Sequence, residues 1–95
     1  MREREIEKYL VKEVKKQKGL CLKFVCPGMD GVPDRIVLLP SGGITFVEVK
    51  APGKKPRALQ LRRMKQLEQL GFKCFVVDSK ETVLILLDEI GGDAL

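Results

Sequence analysis

Apolar residues recur along the chain at two spacings, one typical of helices and one typical of strands. Over residues 3–18 an apolar side chain returns at every fourth position, at Ile6, Leu10 and Val14, which predicts an amphipathic helix that ends at Gly19. Shorter apolar runs bounded by glycine and proline predict strands. We expect strands at 20–26, 34–39, 44–50 and 72–77, and further helices at about 57–70 and 80–90.

The order of these elements, αβββαβα, indicates the fold class. It favours a single α/β domain, residues 1–95, in which a small mixed sheet carries helices on both faces. The last segment leaves two interpretations open, because "TVLILL" alone also fits a strand, whereas Ser79 fits the N-cap of a helix. A domain of this size buries a limited core, so association with a second copy would add to it.

Composition and charge narrow the class of partner. The chain is 44% hydrophobic and 33% charged, which is ordinary for a globular protein. Its net charge of +5, concentrated in residues 8–18 and 50–65, favours a nucleic acid over a membrane surface, although the charge could serve solubility alone. No apolar run approaches the roughly 20 residues that span a bilayer. Because "MREREIEKYL" has no apolar signal core, we expect a cytoplasmic protein.

Histidine is absent, and the cysteines show no ligand spacing. Without histidine, any catalysis must come from carboxylates, lysine and a metal ion. Cys21, Cys26 and Cys74 are odd in number and form no CxxC motif. We therefore expect neither a zinc site nor a disulfide framework, but buried thiols in a reducing compartment.

Charged residues stand inside two of the predicted strands. Alternation places Glu48 and Lys50 on one face of the third strand, with the Val49 carbonyl between them along the backbone. Asp34 opens the neighbouring strand near the same end. Two carboxylates and a carbonyl form an oxygen site that suits Mg²⁺ or Mn²⁺, and a lysine beside it could position a water or offset charge on a phosphate. The alternative is a solvated edge strand with a Glu–Lys pair.

The register of the predicted hairpin decides whether the two carboxylates meet. Pairing Leu39 with Ile44 would put Asp34 on the face away from Glu48. A slip of one residue would bring them together, and we predict that a β-bulge at Gly42–Gly43 supplies it.

Polar side chains on the apolar faces of two helices could belong to the same site. Glu7 falls within the apolar stripe of the first helix. There it could have a cation as its partner, or it could lie at the edge of the stripe and reach water. Glu3 also points inward but lies at the end of the helix. Gln60 occupies a core-facing position, where it could bond a bound phosphate, Lys50 or a backbone group. The basic residues nearby, a candidate DNA-binding face, are Lys54, Lys55, Arg57, Arg62 and Lys65.

Together these motifs resemble the core of the VRR-NUC nucleases, within the PD-(D/E)xK superfamily and its restriction-endonuclease-like fold. The stretch "GVPDRIVLLPSGGITFVEVKAPGKKPRALQ" contains Pro33-Asp34 followed by Glu48-Val49-Lys50. Gly31 matches the glycine before the Pro-Asp pair, Gln60 matches the family's glutamine, and Glu7 best matches its helix-borne glutamate. The resemblance spans nearly the whole chain.

The resemblance implies Mg²⁺- or Mn²⁺-dependent hydrolysis of DNA phosphodiesters. The implied metal ligands are Asp34, Glu48, the Val49 carbonyl and Glu7. Lys50 would orient the attacking water, and Gln60 would complete the catalytic set. Short stand-alone members resemble phage- or bacterium-encoded endonucleases that act as homodimers on branched DNA, such as four-way (Holliday) junctions, in the host cytoplasm.

Two other functions stay open at the level of the sequence. A non-catalytic DNA-binding module would keep the fold and the basic face, and EDTA-sensitive nicking would separate it from an enzyme. A nickase or a restriction-like nuclease without junction preference is the other alternative. A sequence-specific restriction-like enzyme would need base contacts, for which 95 residues leave little surface.

Overall fold

The computed structural model describes residues 1–91, which form three helices around one four-stranded sheet. The predicted order αβββαβα and the α/β class are confirmed, with element ends that differ by a few residues. None of these helices is long and apolar enough to cross a membrane. The helices are α1 (Glu3–Lys16), α2 (Ala58–Gln69) and α3 (Lys80–Gly91), and the strands are β1 (Leu20–Lys23), β2 (Arg35–Leu38), β3 (Ile44–Val49) and β4 (Lys73–Val77).

The sheet is mixed, with strand order β1-β2-β3-β4. β1 and β2 pair antiparallel, as do β2 and β3, whereas β3 and β4 pair parallel. A parallel pair needs a long crossover between its strands, and α2 provides it. The mixed sheet that the sequence predicts is therefore present.

α1 and α3 pack on one face of the sheet, and α2 lies on the other. Val47 and Val49 of β3 are buried in the core beneath α1 and α3, so the alternating residues Phe46 and Glu48 face α2. Burial of each core side chain stabilises the fold by about 1.5–3 kcal/mol. The other buried core residues are Ile6, Leu10, Val14, Val37, Leu39, Val77, Val83, Leu86 and Leu87.

A serine cap begins α3 and decides between the two interpretations of "TVLILL". The Thr82 N–H donates to Ser79 Oγ at 3.0 Å, which satisfies one of the free N–H groups at the helix start. Val83, Leu86 and Leu87 are buried at helical spacing. The segment is therefore a helix.

The three cysteines are free thiols and are half-buried rather than buried as expected. Cys21 lies on β1, an edge strand that neighbours cover on one side only. Burial raises the pKa of the Cys21 thiol, and it raises the pKa of Cys74 to about 11, so both thiols are held in the neutral form.

The β2–β3 hairpin contains the predicted bulge. The Gly42 N–H donates to the Leu39 carbonyl at 2.9 Å, and the Leu39 N–H donates to the Gly43 carbonyl at 3.2 Å. Two glycines thus oppose one residue, which defines a bulge. Gly42 has φ of 86°, a left-handed conformation that glycine adopts without a steric penalty.

The bulge sets the register that brings the carboxylates together. Arg35 pairs with Val47, and the ladder runs from there to Leu38 opposite Ile44. One residue beyond this ladder, Asp34 lies opposite Glu48 rather than Val49. The predicted one-residue slip is therefore confirmed.

We expect Gly42→Ala to lower the free energy of unfolding by about 1 kcal/mol, because a Cβ is disfavoured at positive φ. No heavy atom lies within 4 Å of the added carbon, so the cost is conformational. Gly43→Ala is the matched control, since Gly43 does not have positive φ and also has space. Urea unfolding followed by circular dichroism measures both variants. Equal losses in the two variants would contradict this account.

Candidate functional site

Two carboxylates lie together on the α2 side of the sheet. Glu48, near the end of β3, is 1% exposed, and Asp34, which precedes β2, is half-buried. Asp34 Oδ2 accepts a hydrogen bond from the Val49 N–H at 2.9 Å, which fixes the carboxylate against the end of β3. The two acidic groups are therefore held in place by the strand pairing itself.

Glu48 has one oxygen with two partners and one with none. Its Oε2 accepts a hydrogen bond from Gln60 Nε2 at 2.7 Å and lies 3.2 Å from Lys50 Nζ. Its Oε1 is buried and has no hydrogen-bond partner among residues 1–91. A buried oxygen without a partner is costly, and such an atom marks the place where a ligand would be stabilised.

The protonation of Glu48 is shifted by its surroundings. Burial raises the pKa of Glu48 to about 7, repulsion from Asp34 adds to the increase, and Glu3 adds a smaller contribution. The hydrogen bond and the charge of Lys50 lower this pKa but do not offset the increase. At neutral pH the positive charge of Lys50 therefore does not balance the two carboxylates of the site.

The donors present fit a divalent cation that prefers oxygen. These donors are the partnerless Oε1 of Glu48, the Asp34 carboxylate and the Val49 carbonyl. The N–H and the carbonyl of a strand residue point to the same neighbouring strand, so the Val49 carbonyl points to the side on which its N–H bonds Asp34. Within residues 1–91, no three His, Cys, Asp or Glu side chains converge as a ligand set. In this arrangement Glu7 therefore does not join Asp34 and Glu48, the other two carboxylates expected around a cation.

The structure places Glu7 beside Arg35 rather than beside this pair. Arg35 Nε donates to Glu7 Oε2 at 2.8 Å, and Arg35 lies on the α1 side of the sheet. Glu3, one helical turn earlier, is the α1 carboxylate close enough to influence Glu48. The sequence contains one sign of this arrangement, because an arginine follows Asp34 directly inside an apolar strand. A cation in such a strand needs an acidic partner.

Gln60 connects α2 to the carboxylate site. Its Oε1 accepts a hydrogen bond from the Arg57 N–H at 2.8 Å, so its Nε2 is the atom that reaches Glu48. A backbone group was among the partners that the sequence predicted for Gln60, whereas Glu48 was not. The amide satisfies one free N–H at the start of α2 and fixes the rotamer of Glu48 at the same time.

The loop that leads into Asp34 is packed tightly on α2. Gly31 has φ of 85°, and a Cβ on it would lie 2.7 Å from Leu59 Cγ, so only glycine fits. Arg63 Nε donates to the Asp30 carbonyl at 2.8 Å, a contact that the sequence did not reveal because the basic residues around it are solvated. These contacts position Asp34 from the α2 side.

The basic residues expected to bind DNA are all exposed. Lys54 and Lys55 follow Lys50 in the connection between β3 and α2, and the remaining three lie at the start or on the outer side of α2. Their charges therefore lie near the carboxylate site in the chain and are free to contact a ligand. The exposed set is Lys54, Lys55, Arg57, Arg62 and Lys65.

Known proteins are similar to this chain in sequence and in fold. The "Putative nuclease p44" of Acyrthosiphon pisum secondary endosymbiont phage 1 is 54% identical over 86 residues, which cover 90% of this chain and 92% of that protein. A solved structure described as "VRR_NUC domain" matches with a TM-score of 0.86 and 35% identity, over 93% of this chain and 96% of that chain. A scan against models of protein families gave no match.

The fold and the site define a nuclease-type α/β domain, with two apposed carboxylates and a lysine at one end of a mixed sheet. Identity of this level over nearly the full length of both chains shows common descent. The protein belongs to the VRR-NUC nuclease family. The resemblance that the motifs indicated is thereby confirmed.

We expect Glu48→Gln to stabilise the metal-free protein at about pH 8 and to leave it unchanged below about pH 4.5. The pKa of Glu48 rises from 4.5 to about 7 on folding, so the native state loses stability as pH rises between these values. Glutamine cannot ionise and avoids this loss, which is on the order of 3 kcal/mol because one pKa unit is worth about 1.4 kcal/mol.

Urea unfolding in EDTA at about pH 4.5 and pH 8 measures this difference. Glu89→Gln is the matched control, since Glu89 is exposed on α3 and should give no gain at either pH. A Glu48→Gln protein that is less stable than the wild type at pH 8 would show that Glu48 is not strained in the native state.

Proposed function

We propose that this protein is a divalent-cation-dependent endonuclease that hydrolyses phosphodiester bonds in DNA. The observation that carries the proposal is the buried, partnerless Oε1 of Glu48, with Asp34 on one side and Lys50 Nζ at 3.2 Å from the other oxygen. Membership of the VRR-NUC family and the printed name of the phage relative support the same reaction class.

Each residue of the site has a role in this proposal. Asp34, Glu48 and the Val49 carbonyl would hold Mg²⁺ or Mn²⁺, which when bound supplies a water of lowered pKa and offsets the charge of the phosphate. Lys50 would orient the attacking water or stabilise charge that develops on the phosphate. Gln60 would hold Glu48 in the rotamer that presents Oε1.

The helix carboxylate of the site is proposed to be Glu3 rather than Glu7. Glu7 is engaged by Arg35 at 2.8 Å, and releasing it would leave a half-buried guanidinium without its acidic partner. Glu3 is exposed, has freedom to move, and already influences the pKa of Glu48. It could therefore join the cation directly or through a water.

The DNA backbone would approach from the side of the β3–α2 connection. Five exposed cations lie in this connection, at the start of α2 and on its outer side, and the chain as a whole carries a net charge of +5. Phosphate contacts of this kind give affinity without sequence preference. The residues proposed to make them are Lys54, Lys55, Arg57, Arg62 and Lys65.

We further propose action on branched DNA by a homodimer in the host cytoplasm. A two-fold pair of sites suits a four-way junction, because symmetric dimers generally match symmetric substrates. The α2 face of the sheet offers a surface for the second copy, since apolar residues remain uncovered beside α2. They include Leu20, Leu22 and Ile44, which are 60%, 44% and 43% exposed.

We expect Asp34→Asn to reduce cleavage of DNA in Mg²⁺ by at least about a hundredfold, because loss of one metal carboxylate removes several kcal/mol of transition-state stabilisation. Asp88→Asn is the matched control, since Asp88 is exposed on α3 and makes the same change in charge. A gel assay with Mg²⁺, Mn²⁺ and EDTA on fork, flap, four-way and linear DNAs measures the rates.

The outcomes of this assay separate the parts of the proposal. Wild-type rates in Asp34→Asn, or cleavage that persists in EDTA, would rule out the metal-dependent reaction. Binding without any cutting by the wild-type protein would identify a non-catalytic DNA-binding module. A four-way junction cut no faster than linear duplex would remove the preference for branched DNA and keep the nuclease.

A further inference from the structure

A basic cavity lies on the face of the sheet opposite α2 and its exposed basic residues. It has a volume of about 360 Å³ between α1 and the start of β2. Its lining contains three cations and one carboxylate, so the cavity has a net charge of +2. The lining residues are Arg4, Glu7, Lys8, Val11 and Arg35.

Two hydrogen bonds fix the Arg35 side chain, which lines this cavity. Its Nε donates to Glu7 Oε2 at 2.8 Å, and its Nη1 donates to the Cys21 carbonyl at 3.3 Å. A guanidinium has five N–H donors in a fixed plane. These two bonds leave Nη2 of Arg35 without a protein partner among residues 1–91. A fixed guanidinium with donors to spare is suited to a phosphate oxygen.

Arg4 and Lys8 complete the charge around this donor. They lie four residues apart on α1, so their side chains project from the same side of the helix. Both are exposed, and neither forms an ion pair within residues 1–91. Glu7 is already neutralised by Arg35, so these two charges are available to a ligand.

The cavity lies at the same end of the sheet as the carboxylate site. Arg35 directly follows Asp34, and Arg4 directly follows Glu3, which influences Glu48. Consecutive strand residues point to opposite faces of a sheet. A DNA strand at Glu48 that passes around this end of the sheet would therefore reach the cavity with a neighbouring phosphate.

We infer that the cavity formed by Arg4, Lys8 and Arg35 binds a phosphate of the DNA strand that enters the carboxylate site. The inference rests on the proposed nuclease function and adds a contact on the face opposite α2. Bound at both faces, the strand is held across the end of the sheet, where the scissile phosphate meets Asp34 and Glu48.

The test is the salt dependence of DNA binding by the full chain in EDTA, measured by fluorescence anisotropy on a labelled four-way DNA. Arg4→Ala/Lys8→Ala should reduce the slope of log K against log salt by about 0.9 and weaken binding roughly tenfold at 0.1 M salt, as expected for one lost phosphate contact. Arg4→Lys/Lys8→Arg keeps both charges and should retain the wild-type slope.

Lys15→Ala/Lys73→Ala is the matched control, because it removes the same charge at the other end of the sheet, and both lysines are exposed and form no ion pair within residues 1–91. Lys15 is eleven residues along α1 from Arg4, about 16 Å away, and Lys73 begins β4 opposite Thr45. Circular dichroism checks that all variants are folded. This pair should change the slope by clearly less than the Arg4/Lys8 pair.

Equal slopes for the two alanine pairs, in a wild-type protein that binds and cuts DNA, would overturn the inference and leave the proposed function intact. A wild-type protein that neither binds nor cuts DNA would overturn both. A slope reduced only by Arg4→Ala/Lys8→Ala would support the cavity as a phosphate site.

Discussion

The apposition of Asp34 and Glu48 is the constraint on which the rest of the structure around the site depends. A carboxylate that is 1% exposed and lies near a like charge disfavours ionisation, and the pKa of Glu48 rises to about 7 as a result. The fold tolerates the cost of holding these carboxylates together, because core packing on the opposite face of the sheet fixes the register of β2 and β3. A slip by one residue would move Val47 and Val49 out of the core, and it would separate the carboxylates at the same time.

Helices on both faces of the sheet also meet near this pair. Gln60 joins the start of α2 to Glu48, and the Glu7–Arg35 ion pair joins α1 to β2 beside Asp34. Glu48 thus lies within β3, and Asp34 and Lys50 directly flank β2 and β3. Preorganised donors of this kind need little rearrangement when a charged ligand binds.

The fold was predictable from the sequence, and the contacts of the site were predictable only in part. Helical and strand periodicity fixed the seven elements, and the need to bring two carboxylates together indicated the bulge at Gly42. A helical wheel gives the direction of Glu7 but not the strand residue that it meets, so Arg35 was not foreseen as its partner. The bond from Gln60 to Glu48 depends on how α2 lies across the sheet, which local patterns do not encode.

The most direct test of the central claim is isothermal titration calorimetry of Mn²⁺ into the protein at about pH 6 and pH 8.5. A cation at Asp34 and Glu48 must displace the proton that Glu48 retains below its pKa of about 7, so binding should be tighter at the higher pH and release protons at the lower one. The account predicts this behaviour in the wild type and its loss in Glu48→Gln. Absence of binding in the wild type, or equal affinity in Glu48→Gln, would contradict it.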